Sequence, residues 1–232
     1  MKPDVVIHLA ALVGVRNSIR YSEAYFETNI TGTYNILKMC QKFRVKKLLF
    51  ASSSSVYGEQ KSPLNEKMDC YPISPYGFSK WAGEKLCKMF EDIMTIVFRP
   101  FTVYGENGRE DMAVSRIVKA AKEGLTFVKY GDGTSERGYT NVHDLVDGIV
   151  RLLDYEQFSN NFDVFNLGGS ETVSLSALID MVKEKYPNLK VEEVEKNEAD
   201  VFSSYASTAK AKYLVGWEPK RNFREELFKL LC

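Results

Sequence analysis

The most constraining feature of this sequence is a short run near its start. Val5-Val6-Ile7-His8-Leu9 is almost unbroken in its apolar character, the pattern of a strand buried on both faces of a parallel sheet. The alternation such a sheet needs follows. Residues 21–43 read as a helix, with Phe26, Ile30, Tyr34, Leu37 and Cys40 at roughly helical spacing. Lys46 to Phe50 is a second strand, residues 75–91 a second helix and Thr95 to Phe98 a third strand. The fold class is α/β. After the first strand come Ala10-Ala11-Leu12-Val13-Gly14-Val15-Arg16, and small residues at a strand's carboxyl end let a ligand approach the backbone. Tight packing of a strand–helix corner would explain them equally.

The second helix carries candidate chemistry. Ser74 can cap it, and Pro75 sets φ for its first turn. Tyr76 and Lys80 then share one face, one turn apart. A phenol has a reference pKa of about 10, and a nearby ammonium favours the phenolate. The pair can serve as a proton-transfer unit near neutral pH. Taken alone, the spacing also fits an ordinary amphipathic helix.

Composition narrows the partners. Lys plus Arg equals Asp plus Glu at 31 each, so there is no electrostatic reason to expect nucleic acid or a membrane surface. No apolar run approaches the length of a membrane span, and the apolar core at the start is too short for a secretory signal. Cys40, Cys70, Cys87 and Cys232 are scattered, which reads as reduced cytoplasmic thiols. His8 and His143 are too few for a typical zinc site, so no metal is expected.

Three motifs fall in a telling order: Ser52-Ser53-Ser54-Ser55-Val56-Tyr57-Gly58, then Ser74-Pro75-Tyr76-Gly77-Phe78-Ser79-Lys80, then Arg99-Pro100-Phe101-Thr102-Val103-Tyr104-Gly105. This order resembles the extended short-chain dehydrogenase/reductase family, and within it the nucleotide-sugar epimerases and dehydratases. The resemblance implies a Rossmann-like doubly wound parallel sheet, truncated at its N-terminal half, with a small C-terminal substrate lobe. It implies a partial dinucleotide-binding domain over 1–105 and a mainly substrate-binding lobe over 106–232, with 139–168 returning to the sheet. NAD is the implied cofactor and a UDP-sugar the implied substrate. By the same resemblance Ser53, Tyr76 and Lys80 are catalytic. Leu9, Ala10, Ala11, Asn29 and Pro100 join Tyr76 and Lys80 at the cofactor. Ser53 and Asn29 have structural alternatives as a turn-forming hydroxyl and a satisfied buried amide. Arg99 reads as a strand-end charge.

The combination of Thr102 with Gly108-Arg109-Glu110-Asp111-Met112 resembles the branch that epimerises UDP-glucuronate. Thr102, Ser54 and Ser55 would then face the sugar carboxylate, and Arg109 would lie toward the nucleotide end, unless it is an exposed loop arginine. Arg137 would pair with the diphosphate, a contact that suits a guanidinium. Asp144 is expected to complement a helix dipole, and Glu192, Glu193, Glu195 and Glu198 to be solvated. The tail from Ala209 to Pro219 matches the family's ending. The implied reaction converts UDP-glucuronate to UDP-galacturonate by transient oxidation at C4. UDP-glucose or N-acetyl-sugar 4-epimerases, dehydratases, reductases and a binding-only protein are the alternatives. Dehydration is disfavoured because Ser54 and Ser55 stand where it needs an acid and a base. A homodimer through residues 21–43 and 75–91 is expected.

The family's opening Gly-rich turn, which binds pyrophosphate, has no counterpart in this sequence. Val5-Val6-Ile7 should therefore form an unpaired apolar sheet edge. A fragment, a split enzyme whose partner chain supplies the missing strands, and a degenerate binder all fit that expectation.

Overall fold

The computed structural model describes residues 2–156, 161–195 and 201–232. Its central sheet has four parallel strands: β1 (Val5–His8), β2 (Lys47–Ala51), β3 (Met94–Pro100) and β8 (Phe162–Leu167), in the spatial order β1-β2-β3-β8. Helices α1 (Val15–Arg20), α2 (Ser22–Phe26) and α3 (Gly32–Phe43) connect β1 to β2, and α4 (Pro75–Met89) connects β2 to β3. Residues alternate across each strand, so one face holds Leu48, Phe50 and Val97 against Leu37 and Cys40 of α3 and Cys87 of α4. The other face holds Leu49, Ile96, Phe98 and Phe165 against Leu152 of α6 (Val142–Leu153) and Ala211 of α8 (Ala209–Val215). This two-sided covering is the doubly wound layout expected from the sequence.

The expectation for β1 needs one correction. Val6 packs on the α3 side and His8 is buried there, but Val5 and Ile7 are exposed on the opposite face, at 39% and 42%. Nothing in the described chain covers that side of β1, because α6 reaches only as far as Leu49. The edge is thus apolar and half open, not buried on both faces.

Between β3 and β8 the chain builds a second body from β4 (Val103–Tyr104), α5 (Ala113–Glu123), β5 (Phe127–Tyr130), β6 (Glu136–Gly138) and β7 (Thr140–Asn141), leading into α6. After β8 come β9 (Thr172–Ser174), α7 (Leu175–Lys185), β10 (Val191–Val194) and β11 (Ser203–Ser204), then α8 and α9 (Phe223–Leu230). Ile117, Phe127, Leu178, Val182 and Leu227 form its separate core. Trp217 is wholly buried, and its Nε1 donates to the Asp144 carbonyl at 2.9 Å. Asp144 lies in the first turn of α6, as expected of a carboxylate complementing the helix dipole, and Asn141 caps that helix. The Asp144 carboxylate also pairs with Arg221 at 2.5 Å and accepts from the amides of Lys220 and Arg221, fastening the tail. Glu192, Glu193 and Glu195 are exposed, Glu193 pairing with Lys129, and Glu198 lies outside the described residues.

Candidate active site

Helix α4 begins as its sequence dictates. The Ser74 hydroxyl accepts from the Gly77 amide at 3.1 Å, and Pro75 takes the first turn. Gly77 is needed for close approach: a Cβ there would meet the Ser55 carbonyl oxygen at 2.5 Å. The helix therefore lies directly on the loop that follows β2. In that loop Ser53 caps a short 3-10 turn (Ser54–Val56), its Oγ accepting from the Ser55 amide at 3.1 Å. The turn-forming role is real, and Ser53 also lines the same cavity as Tyr76, near enough for its hydroxyl to favour the phenolate. Lys80 is buried, donates to the Ala51 carbonyl at 2.7 Å and sits 5.3 Å over the Phe50 ring.

The titration of this trio differs from the sequence expectation. Burial pushes the Tyr76 phenol above its ordinary value, against the hydrogen bond from Ser53 and the guanidinium of Arg109. Lys80 is not among the groups that lower it. Its own ammonium is drawn down to about 8 by burial. Desolvation outweighs the pairing inferred from helical spacing, because both groups leave water together.

Asn29 is delivered by a π-helical turn (Glu27–Thr31) between α2 and α3, a rare irregularity that often marks functional sites. Its Oδ1 accepts from the Leu12 amide, and its Nδ2 donates to the Leu12 carbonyl and to Ser79 Oγ, at 2.8–2.9 Å. It pins the loop after β1 to α4. Leu9 and Ala10 stand exposed at the end of β1, with Ala11 half-buried.

A cavity of about 670 Å³ opens beside Tyr76. The sheet's carboxyl edge contributes Ser53, Ser54, Ser55, Pro100 and Thr102, and the second body contributes Arg116, Tyr130 and Arg137. The structure thus brings together the predicted catalytic Ser53 and Tyr76, Pro100 and the predicted substrate residues, Arg109 included. Leu9, Ala10, Ala11, Asn29 and Lys80 do not line it. Arg109 lies nearer the phenol than expected, paired with Asp111 at 2.5 Å and packed against Gly14. Gly14 has a φ of 104°, a left-handed conformation that favours glycine. Arg137 donates to the carbonyls of Glu136, Val201 and Phe202. At Gly138 a Cβ would come within 2.9 Å of Tyr205 Cβ, which accounts for glycine after Arg137.

Several functional candidates escaped the sequence reading. Tyr25 donates to the Val13 carbonyl at 2.6 Å and meets the Tyr76 ring edge-on at 6.2 Å. Arg16 stacks on Tyr130 at 3.7 Å, with Arg116 at 5.1 Å from the same ring. Only Arg16 had a signal, as the lone cation ending a small-residue loop. Arg99 is no strand-end charge: it is buried against Glu84.

A family model described as NAD dependent epimerase/dehydratase matches residues 1–168. The chain belongs to that family. It is 37% identical over 231 residues to a UDP-glucuronate 4-epimerase of Thermodesulfobacterium geofontis, covering 97% of this chain and 70% of that one. A UDP-glucuronic acid 4-epimerase from Bacillus cereus, solved with UDP-glucuronic acid and NAD, superposes with a TM-score of 0.92 at 32% identity, over 97% of this chain and 73% of that chain. An NAD dependent NDP-hexosamine 5,6-dehydratase of tunicamycin biosynthesis superposes with a TM-score of 0.91 at 25% identity, over 99% and 76% of the two chains. Family membership makes NAD the cofactor to fit. The residues present suit its nicotinamide end. Lys80 uses one of its three donors on Ala51, leaving two for ribose hydroxyls, and Pro100 faces the cavity beside Tyr76.

Proposed function

We propose that this chain epimerises a UDP-sugar at C4, and that its site suits UDP-glucuronate, giving UDP-galacturonate. The observation that carries this reading is the cavity wall beside the phenol. Ser54, Ser55 and Thr102 line it with hydroxyls next to Ser53 and Tyr76. Uncharged donors hold a carboxylate without fixing it so firmly that the sugar cannot turn. A dehydratase would need an acid and a base where Ser54 and Ser55 stand, which argues against water elimination despite the dehydratase neighbour.

NAD, when bound, would supply the redox chemistry at C4. The chain's residues do the rest. Tyr76, as phenolate, takes the C4 hydroxyl proton at its oxygen and later gives it back. Ser53 donates its one hydroxyl hydrogen to the reacting oxygen of the sugar and so steadies the transfer to Tyr76. Lys80 holds the ribose, and Arg137 with Arg109 binds the nucleotide diphosphate and keeps the 4-keto sugar in the cavity while it turns. Residues 1–105 act as the cofactor-side domain and 106–232 as the substrate lobe, with 139–168 returning to the sheet.

Calorimetry with NAD+ followed by incubation with UDP-glucuronate tests this. Conversion to UDP-galacturonate at unchanged mass is expected. A product lighter by one water would overturn the epimerase reading, and faster conversion of UDP-glucose would overturn the substrate assignment.

The two helical faces also suit a homodimer. Phe26, Tyr34, Met39 and Phe43 of one helical stretch and Phe78 and Met89 of the other are all exposed. Light scattering should give a dimer mass, and a clean monomer would count against it. The free thiols Cys40, Cys70, Cys87 and Cys232 support a reducing, cytoplasmic setting.

A further inference from the structure

Tyr76 and Lys80 continue into a third residue on the same helical row, Glu84, again one turn on. Each of the three faces the short stretch from Ala51 to Ser53 where β2 runs into its loop. Tyr76 lines the cavity with Ser53, Lys80 meets the Ala51 carbonyl at 2.7 Å, and Glu84 Oε1 accepts from Ser52 Oγ at 2.5 Å. Glu84 is also tied to β3. Arg99 Nε donates to its Oε1 at 2.8 Å and Nη2 to its Oε2 at 2.6 Å, both side chains being 5% exposed. Arg99 is stacked over the Tyr57 ring at 4.7 Å, and its Nη2 also reaches Cys70 Sγ at 3.2 Å. Arg99 Nη1 is buried with no hydrogen-bond partner.

A buried ion pair is weak evidence for stability, because removing two charges from water costs about as much as their attraction returns. An imperfectly satisfied pair such as this one is less favourable still. Its neighbours suggest another purpose. Ser52 immediately precedes Ser53, Arg99 immediately precedes Pro100, and Glu84 lies two turns from Tyr76. The pair therefore joins α4, the end of β2 and the end of β3, where the proposed catalytic and nicotinamide-facing residues sit.

We infer that Glu84 and Arg99 are positioning residues that hold Ser52, and through it Ser53, at hydrogen-bonding distance from the Tyr76 hydroxyl. The inference rests on the roles proposed above for Ser53 and Tyr76, but it concerns the placement of two side chains of the chain itself, which can be read without substrate or turnover.

The test uses two variants of the full chain. Glu84→Leu combined with Arg99→Met removes both charges and strands neither, so the fold is expected to survive. Ser52→Ala removes only the hydroxyl contact to Glu84. The first readout is the 13Cζ resonance of Tyr76, assigned through Tyr76→Phe, with Ser53→Ala marking its position when the hydroxyl bond is lost. In the paired variant the resonance should move toward the Ser53→Ala value while the melting temperature stays within a few degrees. Ser52→Ala should move it part of the way. In NAD-loaded enzyme, kcat should fall about 10–100-fold in the paired variant, with KM for the UDP-sugar changed by less than about threefold, the signature of a reacting pair displaced by a fraction of an ångström. A folded paired variant with the parental resonance overturns the inference. If the paired variant does not fold, Ser52→Ala decides alone, and an unmoved resonance there overturns it as well. A Ser53→Ala resonance identical to the parent's also overturns it, since no bond would exist to position. If no UDP-sugar turns over yet the resonance moves as expected, the positioning stands and the epimerase reading falls.

Discussion

Strands β1 and β2 lie side by side in the same sheet, in register from Val5 opposite Lys47 to His8 opposite Phe50, and their sequences look alike. Their surroundings do not. In β2 Leu48, Leu49 and Phe50 are all buried, and the strand ends in a loop fastened to α4 through Ala51 and Ser52. In β1 alternate side chains face outward, and the strand runs into Leu9, which is 59% exposed. An apolar run marks a strand but not its rank in the sheet, because burial is decided by what packs beside it. Chemistry gathers where the covering is complete, since a displaced pKa and a fixed hydroxyl both need neighbours on every side.

The strongest test of that contrast is Tyr76→Phe. If the end of β2 is where protons move, losing the one hydroxyl should lower turnover about 10²–10⁴-fold or more in NAD-loaded enzyme, with the fold unchanged by circular dichroism. Near-normal turnover would remove the chemical half of the comparison and the assignment with it.

The structural half is tested by Leu49→Ala. Leu49 is wholly buried and pairs in register with Ile7, which is 42% exposed on the same face. Truncation of Leu49 should cost about 2–5 kcal/mol in denaturant unfolding, the usual range for a buried leucine. A cost below about 1 kcal/mol would mean that the α6 face packs as loosely over β2 as over β1.

Much of this was legible from residues, and the failures share a cause. The Ser74 cap, the Pro75 start and the Tyr76–Lys80 row are local features, and the structure keeps them. The cluster of Ser54, Ser55, Thr102 and Arg137 around one cavity followed from family motifs. Three things were not legible because they depend on contacts between distant residues. Arg99 looked like a strand-end charge until Glu84, fifteen positions earlier, was found against it. Tyr25 became part of the site only through its contacts with Val13 and the Tyr76 ring, which no spacing announces. The Tyr76 pKa was misjudged because helical spacing reports proximity to Lys80 but not the loss of water around both groups. The Tyr76–Lys80–Glu84 row was visible all along, at i, i+4 and i+8.

Lys80 sharpens the point about water. Burial draws its ammonium from 10.5 to about 8. Below pH 8 folded and unfolded chains both keep the proton, the folded one at a penalty. Between about 8 and 10.5 the folded chain releases it while the unfolded chain still holds it, so this contribution to stability rises with pH across that window. Lys80→Met, of similar length and without charge, should therefore raise stability at pH 7 by about 1–3 kcal/mol and flatten the rise above pH 8, while weakening NAD+ binding by calorimetry. An unchanged pH dependence of unfolding would show that Lys80 is solvated and that the end of β2 is less closed than its contacts indicate.

The smallest effect belongs to the open strand. On this 232-residue chain, Ile7→Lys places a charge where the side chain already meets water and no covering helix is present to desolvate it. The stability change should stay within about 0.5 kcal/mol, as for an ordinary surface substitution. Association should fall, because a charge on an apolar edge opposes strand-to-strand pairing. Light scattering at rising concentration reads this directly. A loss of several kcal/mol would show that Ile7 is covered in solution, by a second copy or another chain. The two neighbouring strands would then differ in what covers them, and no longer in whether anything does.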